Sequence, residues 1–200
     1  MGRESYYAFI GTNSVRGSRG IYTLRIDAET GIAKIMSTAP AYNTGCLALS
    51  QDGGNLYAAA EGMTFDGYAD GGVMAFRVNQ DGSLHRLNGQ RSYGQRTCCV
   101  AVDREKKNVY ACNFYKGTWS AYALQENGAL SPARLVVAPP EASAWKALHC
   151  IGTIEEDYVG VISLAECALV VYRGDTGVRV TSFSFPHNPF PRYFAAVDDT

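Results

Sequence analysis

The sequence predicts an all-β fold, a β-propeller of four-stranded antiparallel blades, and three observations lead there. A unit of about 50 residues recurs along the chain, most plainly as Leu47 to Tyr57 and Val100 to Tyr110. Each of these stretches reads as an apolar alternation, a polar turn and a strand opening on Leu-Tyr or Val-Tyr. Composition agrees: 21 of the 200 residues are Gly, and Asp-Gly, Asn-Gly and Thr-Gly pairs recur where tight hairpin turns are needed. No segment carries a sustained helical period.

The elements follow in order. The first copy supplies Tyr7 to Gly11, Gly20 to Asp27 and Thr30 to Ile35, with no strand before them. The second and third copies are complete: each of the two stretches above is followed by a third strand, 71–78 or 117–124, and by a fourth opening at Asp81-Gly82 or Asn127-Gly128. In the fourth copy the strands are Leu148 to Thr153, Tyr158 to Ser163, Ala168 to Tyr172 and Gly177 to Ser182. A lone strand, Tyr193 to Asp198, then matches Cys99 to Asp103. The blades divide at about 1–40, 41–92, 93–140 and 141–186 within one domain of residues 1–200, with the first strand of a next blade in 190–200.

Composition also limits function. A net charge of −1 exerts no broad pull on nucleic acid or an anionic membrane. No apolar run approaches the roughly 20 residues of a membrane span, and Met1 to Tyr7 lacks the pattern of a signal peptide, so a cytoplasmic protein is expected. The six cysteines include no Cys-x-x-Cys and no paired His at zinc spacing; buried thiols are expected, with no metal and no cofactor. Alternation along a strand should send the adjacent Cys98 and Cys99 to opposite faces, giving them unrelated packing roles.

The runs Phe9 to Asn13, Gly20 to Gly31, Leu47 to Gly53 and Asp81 to Leu84 make the chain resemble the lactonase family of seven-bladed β-propellers, the 6-phosphogluconolactonase and carboxy-muconate lactonising enzyme type. The resemblance spans almost the whole chain and implies a fold more securely than an activity. About four blades are encoded, so an incomplete seven-bladed ring is the favoured reading, with self-association or a missing second half as its corollary. The alternative is a closed four-bladed ring in which Tyr193 to Asp198 supplies the absent innermost strand of the first blade.

In a propeller, the loops leading into each first strand and those leaving each second strand meet at one mouth of the central channel. Asn43, Arg96, Lys146, His149 and Arg192 stand at the former, and Glu61 and Asn113 at the latter, with the loop 62–70 beside them. The resemblance aligns Ala147-Leu-His-Cys150 with a His-x-His-Ser segment of the family, keeping only the second His, and Phe190-Pro-Arg-Tyr193 with Gly-Pro-Arg-His. It implies His149 as proton carrier and Arg192 as the grip on a substrate anion, the two catalytic candidates. Glu61, Arg96, Asn113 and Lys146 are the substrate-binding candidates. The other reading of each is structural: a satisfied His, a terminal Arg, a turn-capping Asn.

The function expected is therefore a lactone hydrolase acting on a small anionic sugar lactone. The alternative is a non-catalytic propeller scaffold that offers its rim, including the aromatics Phe65 and Tyr68, to a protein partner.

Overall fold

The computed structural model describes residues 4–103, 105, 107–139, 147–155, 157–187 and 189–196. Among these residues, fifteen strands form four antiparallel sheets. The first sheet has three strands, β1 (Ser5–Ile10), β2 (Gly20–Asp27) and β3 (Ala33–Pro40), in the order β1-β2-β3. The second runs from β4 (Leu47–Leu49) through β5 (Asn55–Ala60) and β6 (Gly72–Val78) to β7 (Leu84–Arg91). The third comprises β8 (Gln95–Val102), β9 (Asn108–Tyr115), β10 (Trp119–Leu124) and β11 (Leu130–Val137). The fourth comprises β12 (Leu148–Ile154), β13 (Tyr158–Ser163), β14 (Ala168–Arg173) and β15 (Arg179–Ser184). No helix among these residues is long and apolar enough to cross a membrane.

The outer strands of the first and fourth sheets begin later than the sequence suggests, at Ala33 and Arg179 rather than near Thr30 and Gly177. The Thr-Gly pairs are spent on the turn: Gly31 and Gly177 have φ of 70° and 72°, and the Asp27 carboxylate accepts the Thr30 N–H at 2.7 Å. The corresponding glycine of the third sheet meets a second demand. Gly128 has φ of 84°, and a Cβ there would lie 2.3 Å from Asn55 of the second sheet. Only glycine lets that turn bend and also lie flat on the neighbouring blade.

Packing between sheets makes three apolar layers. Ile21 and Ala39 meet Leu56, Met74 and Phe76; Tyr57, Val73 and Ala75 meet Val100, Val109 and Tyr122; Tyr110, Cys112 and Trp119 meet Ile151, Val159 and Val161. Trp119 is 1 % exposed and its ring lies 5.4 Å from that of Tyr172. Truncation of such a side chain to Ala typically costs about 3–5 kcal/mol.

Two expectations are corrected. In the closed four-bladed alternative Tyr193 to Asp198 would complete the first sheet, but Tyr193 to Ala196 do not pair with it, and among the described residues that sheet is three-stranded. This segment lies instead against the fourth sheet, where a Cβ at Gly160 would meet the Phe194 ring at 2.6 Å. Residues 197–198 of that expected strand lie outside the described residues. Cys98 and Cys99 do not have unrelated surroundings either. The register of β8 on β9 shifts between Thr97 and Cys99, leaving Cys98 at a bulge. Its Sγ is 3.8 Å from that of Cys112, which is itself the cross-strand partner of Cys99. A bulge breaks the alternation on which the opposite-face argument depends.

Candidate active site

Three segments distant in sequence converge where β4 is entered, β5 ends and β8 begins. Asn43, before β4, accepts the Glu61 N–H on its carbonyl at 2.9 Å, and its side-chain oxygen accepts the Ser14 N–H at 2.8 Å. Glu61, just past β5, takes the Arg96 Nε–H at 3.0 Å and also binds its Nη2. Arg96, in β8, has φ of 54° and is fixed by its N–H on the Gly62 carbonyl at 2.9 Å. Its guanidinium carbon lies 5.4 Å from the Phe114 ring centre and 5.5 Å from that of Tyr115. The Glu61 carboxylate, then Tyr115, holds Arg96 above the ordinary arginine value, so it is a permanent cation. A cleft of about 720 Å³ opens beside this pair, bordered also by Asn43, Met63, Phe65 and Arg86.

The second group lies on β12 and the segment after β15. His149 falls at a register shift of β12 on β13, between Leu148 and Cys150. That bulge matches the one carrying Cys98 in the preceding blade. The half-buried ring places Nδ1 3.0 Å from the Arg192 carbonyl oxygen and stands edge-on to Tyr193, with centres 5.0 Å apart and planes at 89°. A carbonyl only accepts, so Nδ1 carries the hydrogen and the neutral ring keeps its lone pair on Nε2. Cys98 lies between the two groups: its Sγ is 3.6 Å from the His149 carbonyl, and the Glu61 charge acts on it.

Asn113 does not face a ligand. It is fully buried; its Oδ1 accepts from Ser92 Oγ at 2.8 Å and Thr97 Oγ1 at 2.9 Å. Its Nδ2 donates to the Ser92 carbonyl at 2.9 Å and to Thr118 Oγ1 at 2.8 Å. Every hydrogen-bonding position of the amide is filled by protein, which makes it a structural tie between β9 and the turn before β8. Lys146 lies outside the described residues.

The loop expected to hang at the rim is folded onto its own blade. Phe65 and Tyr68 exchange backbone hydrogen bonds at 3.0 and 2.9 Å, and the Phe65 ring fills the space over Gly72 and Gly89. Sequence reasoning missed two residues here. Asp70 is almost fully buried, pairing with Arg91 and lying 3.6 Å from Lys116, while Arg91 stacks on Tyr68 and Tyr93 at 4.6 and 4.4 Å. The signal was an Asp that closes the loop and directly precedes the Gly71-Gly72 pair at the start of β6.

A further cleft of about 640 Å³ opens at the opposite end of the sheets, among Asp103, Asn108, Arg134 and Asp157. Arg134 is consumed there by Asn108 Oδ1 and the carbonyls of Gly174 and Asp175, and none of the described residues leading into β4, β8 or β12 lines this cleft.

Residues 7–195 match the family described as lactonase, 7-bladed beta-propeller. The 6-phosphogluconolactonase of Bacillus subtilis (strain 168) is 30% identical over 200 residues, covering 95% of this chain and 56% of that protein. The periplasmic gluconolactonase of Pseudomonas aeruginosa superposes with a TM-score of 0.83 at 17% identity, over 94% of this chain and 58% of that one. A Bacteroides fragilis NCTC 9343 protein, a candidate 6-phosphogluconolactonase, superposes with a TM-score of 0.82 at 24% identity, over 95% and 57%. At these identities the two structural likenesses establish the fold alone. The chain spans just over half the length of the relatives it matches.

Proposed function

Because the chain belongs to the lactonase family of seven-bladed β-propellers, we propose that it takes part in hydrolysing a small anionic sugar lactone of the 6-phosphogluconolactone type. The observation that carries this reading is the His149 contact. With the Nδ1 hydrogen committed to the Arg192 carbonyl, Nε2 can accept a proton from water as that water attacks the lactone carbonyl. Tyr193 against the ring limits its rotation.

The two arginines take the negative charge. Arg192 follows the proline of the Phe190-Pro-Arg-Tyr193 segment and stands next to the base. Arg96 presents a half-exposed guanidinium to the cleft while Glu61 fixes its direction. A guanidinium offers five N–H groups, and Glu61 occupies only part of that set, leaving donors for a phosphate or carboxylate. Charge developing on the lactone oxygen during attack is stabilised by such preset donors. Six free cysteines suit a reducing compartment, so the reading places the protein in the cytoplasm.

The apolar side chains on the outer faces of the first and fourth sheets, among them Ile35 and Phe183 at 64% and 62% exposed, favour association with another propeller segment. The experiment is proton release from freshly made 6-phosphogluconolactone and from the neutral gluconolactone, each with and without the purified chain. Faster release with the phosphorylated lactone supports the reading. Release at the spontaneous rate for both rejects it.

A further inference from the structure

Five of the six cysteines, spread from position 46 to position 150, meet in one place. The register explains why. Leu47 pairs with Ala58, Val100 with Ala111 and Ile151 with Val161, so the residues just before them, Cys46, Cys99 and Cys150, occupy the same position in three consecutive blades. Their sulfurs follow one another at 3.7 Å from Cys46 to Cys99 and 4.0 Å from Cys99 to Cys150. Cys112 packs against Cys99 from across the sheet and reaches Cys98 at 3.8 Å.

The members of this cluster are not alike. Cys99 is 5% exposed and surrounded by the thiols of Cys112, Cys150 and Cys46, which with burial hold it protonated. Cys46 is half-buried, the most open end of the row of three equivalent positions. Its sulfur accepts the Val100 N–H at 3.4 Å, and its S–H is directed at the Cys99 sulfur, 3.7 Å away. A backbone donor on the sulfur favours the thiolate, and the neighbouring Cys99 thiol, more than that backbone contact, holds Cys46 below the usual thiol value against the opposing effect of burial. Among the described residues, no group of three or more His, Cys, Asp or Glu side chains is disposed to hold a metal ion, so thiol chemistry is the use this arrangement fits.

We propose that Cys46 and Cys99 form a peroxide-reactive pair, with Cys46 the attacking thiolate and Cys99 the resolving thiol. In the first step the Cys46 sulfur attacks one oxygen of a hydroperoxide. An S–O bond forms, the O–O bond breaks, and the departing oxygen takes a proton to leave as water or an alcohol. Cys46 is then a sulfenic acid. In the second step the Cys99 sulfur attacks that of Cys46, the S–S bond forms, the S–O bond breaks, and hydroxide leaves with the Cys99 proton as water. The dithiol loses two electrons and two protons, and the peroxide gains them. The sulfurs must close from 3.7 Å to about 2.05 Å. The product staples the strands leading into the second and third blades, beside Arg96.

The test is disulfide mapping of the full chain after brief exposure to hydrogen peroxide, with free thiols alkylated before digestion and no reductant. The expected product is a peptide containing Cys46 joined to one containing Cys99, with fragmentation distinguishing Cys99 from Cys98, and the link persists in Cys98→Ser. In Cys99→Ser, a cyclic 1,3-dione should trap sulfenic acid on Cys46. In Cys46→Ser, the rate of thiol loss within the cluster should fall about tenfold. The wild-type map decides the matter even if a variant folds poorly. A link confined to Cys98 and Cys112, a link between molecules through Cys167, or Cys46 fully alkylated after peroxide treatment would each overturn the proposal.

Discussion

The Nδ1 atom of His149 lies 3.0 Å from the backbone carbonyl of Arg192, so the tautomer of the proposed base is set by the path of the chain and not by the arginine side chain. Removing that side chain therefore separates the two roles. Arg192→Ala should raise KM for an anionic lactone by about tenfold, the worth of one charge-assisted hydrogen bond, without displacing the pH profile. A displaced profile would show that the guanidinium also tunes His149.

The Glu61–Arg96 pair has side chains 23% and 42% exposed, so its contribution to stability should be small, about 0.2–1 kcal/mol. Its effect should fall on binding. Arg96→Ala and Glu61→Gln should both raise KM several-fold, the first by loss of the cation and the second by loss of its direction, with melting temperatures nearly unchanged. Equal KM values for all three proteins would take the 720 Å³ cleft out of the site.

Asn113 gives the opposite pattern. Asn113→Ala would take one partner each from Ser92, Thr97 and Thr118 in a buried network, leaving Ser92 and Thr97 paired to each other and Thr118 to the Tyr93 carbonyl, and should cost about 1–3 kcal/mol in all. Denaturant unfolding measures the loss, while KM of the folded fraction should match the wild type.

Alkali should unfold the protein in a defined window. Burial, assisted by the charges of Asp52 and Asp103, pushes the Tyr57 hydroxyl from 10.0 up to about 12. The unfolded phenol ionises first, so this stabilising contribution is complete below pH 10 and is lost as the pH rises toward 12. Tyr57→Phe forfeits the hydrogen bond to the Gly128 carbonyl, at about 1 kcal/mol near neutrality, yet should unfold less steeply in alkali. Tyrosinate absorbance and circular dichroism followed together test both signs.

The blade pattern was legible because each strand carries its own record: alternation, a turn pair and a return strand. Asp81-Gly82 and Asn127-Gly128 mark hairpins whatever surrounds them, and the convergence of Asn43, Glu61 and Arg96 follows from where those hairpins place the ends of strands. The Cys98 and His149 bulges were not legible, since a bulge is decided by pairing with β9 and β13, far along the chain. For the same reason Asn113 read as a ligand when it is a tie: its partners Ser92 and Thr118 lie on segments that meet it only after the sheet forms. Tyr193 to Ala196 carry a strand's composition, but composition does not supply the neighbouring strand that a ladder requires.

The most direct measurement is the initial rate of 6-phosphogluconolactone loss, above the spontaneous rate, for the wild type, His149→Gln and His149→Ala, with circular dichroism confirming the fold of each. General-base catalysis through His149 Nε2 predicts a fall of about 10²–10⁴-fold in kcat for both variants, because a glutamine can keep the contact to the Arg192 carbonyl but cannot take the proton. A His149→Gln protein that hydrolyses the lactone at the wild-type rate would contradict the assignment, leaving the His149–Arg192 contact a purely structural one.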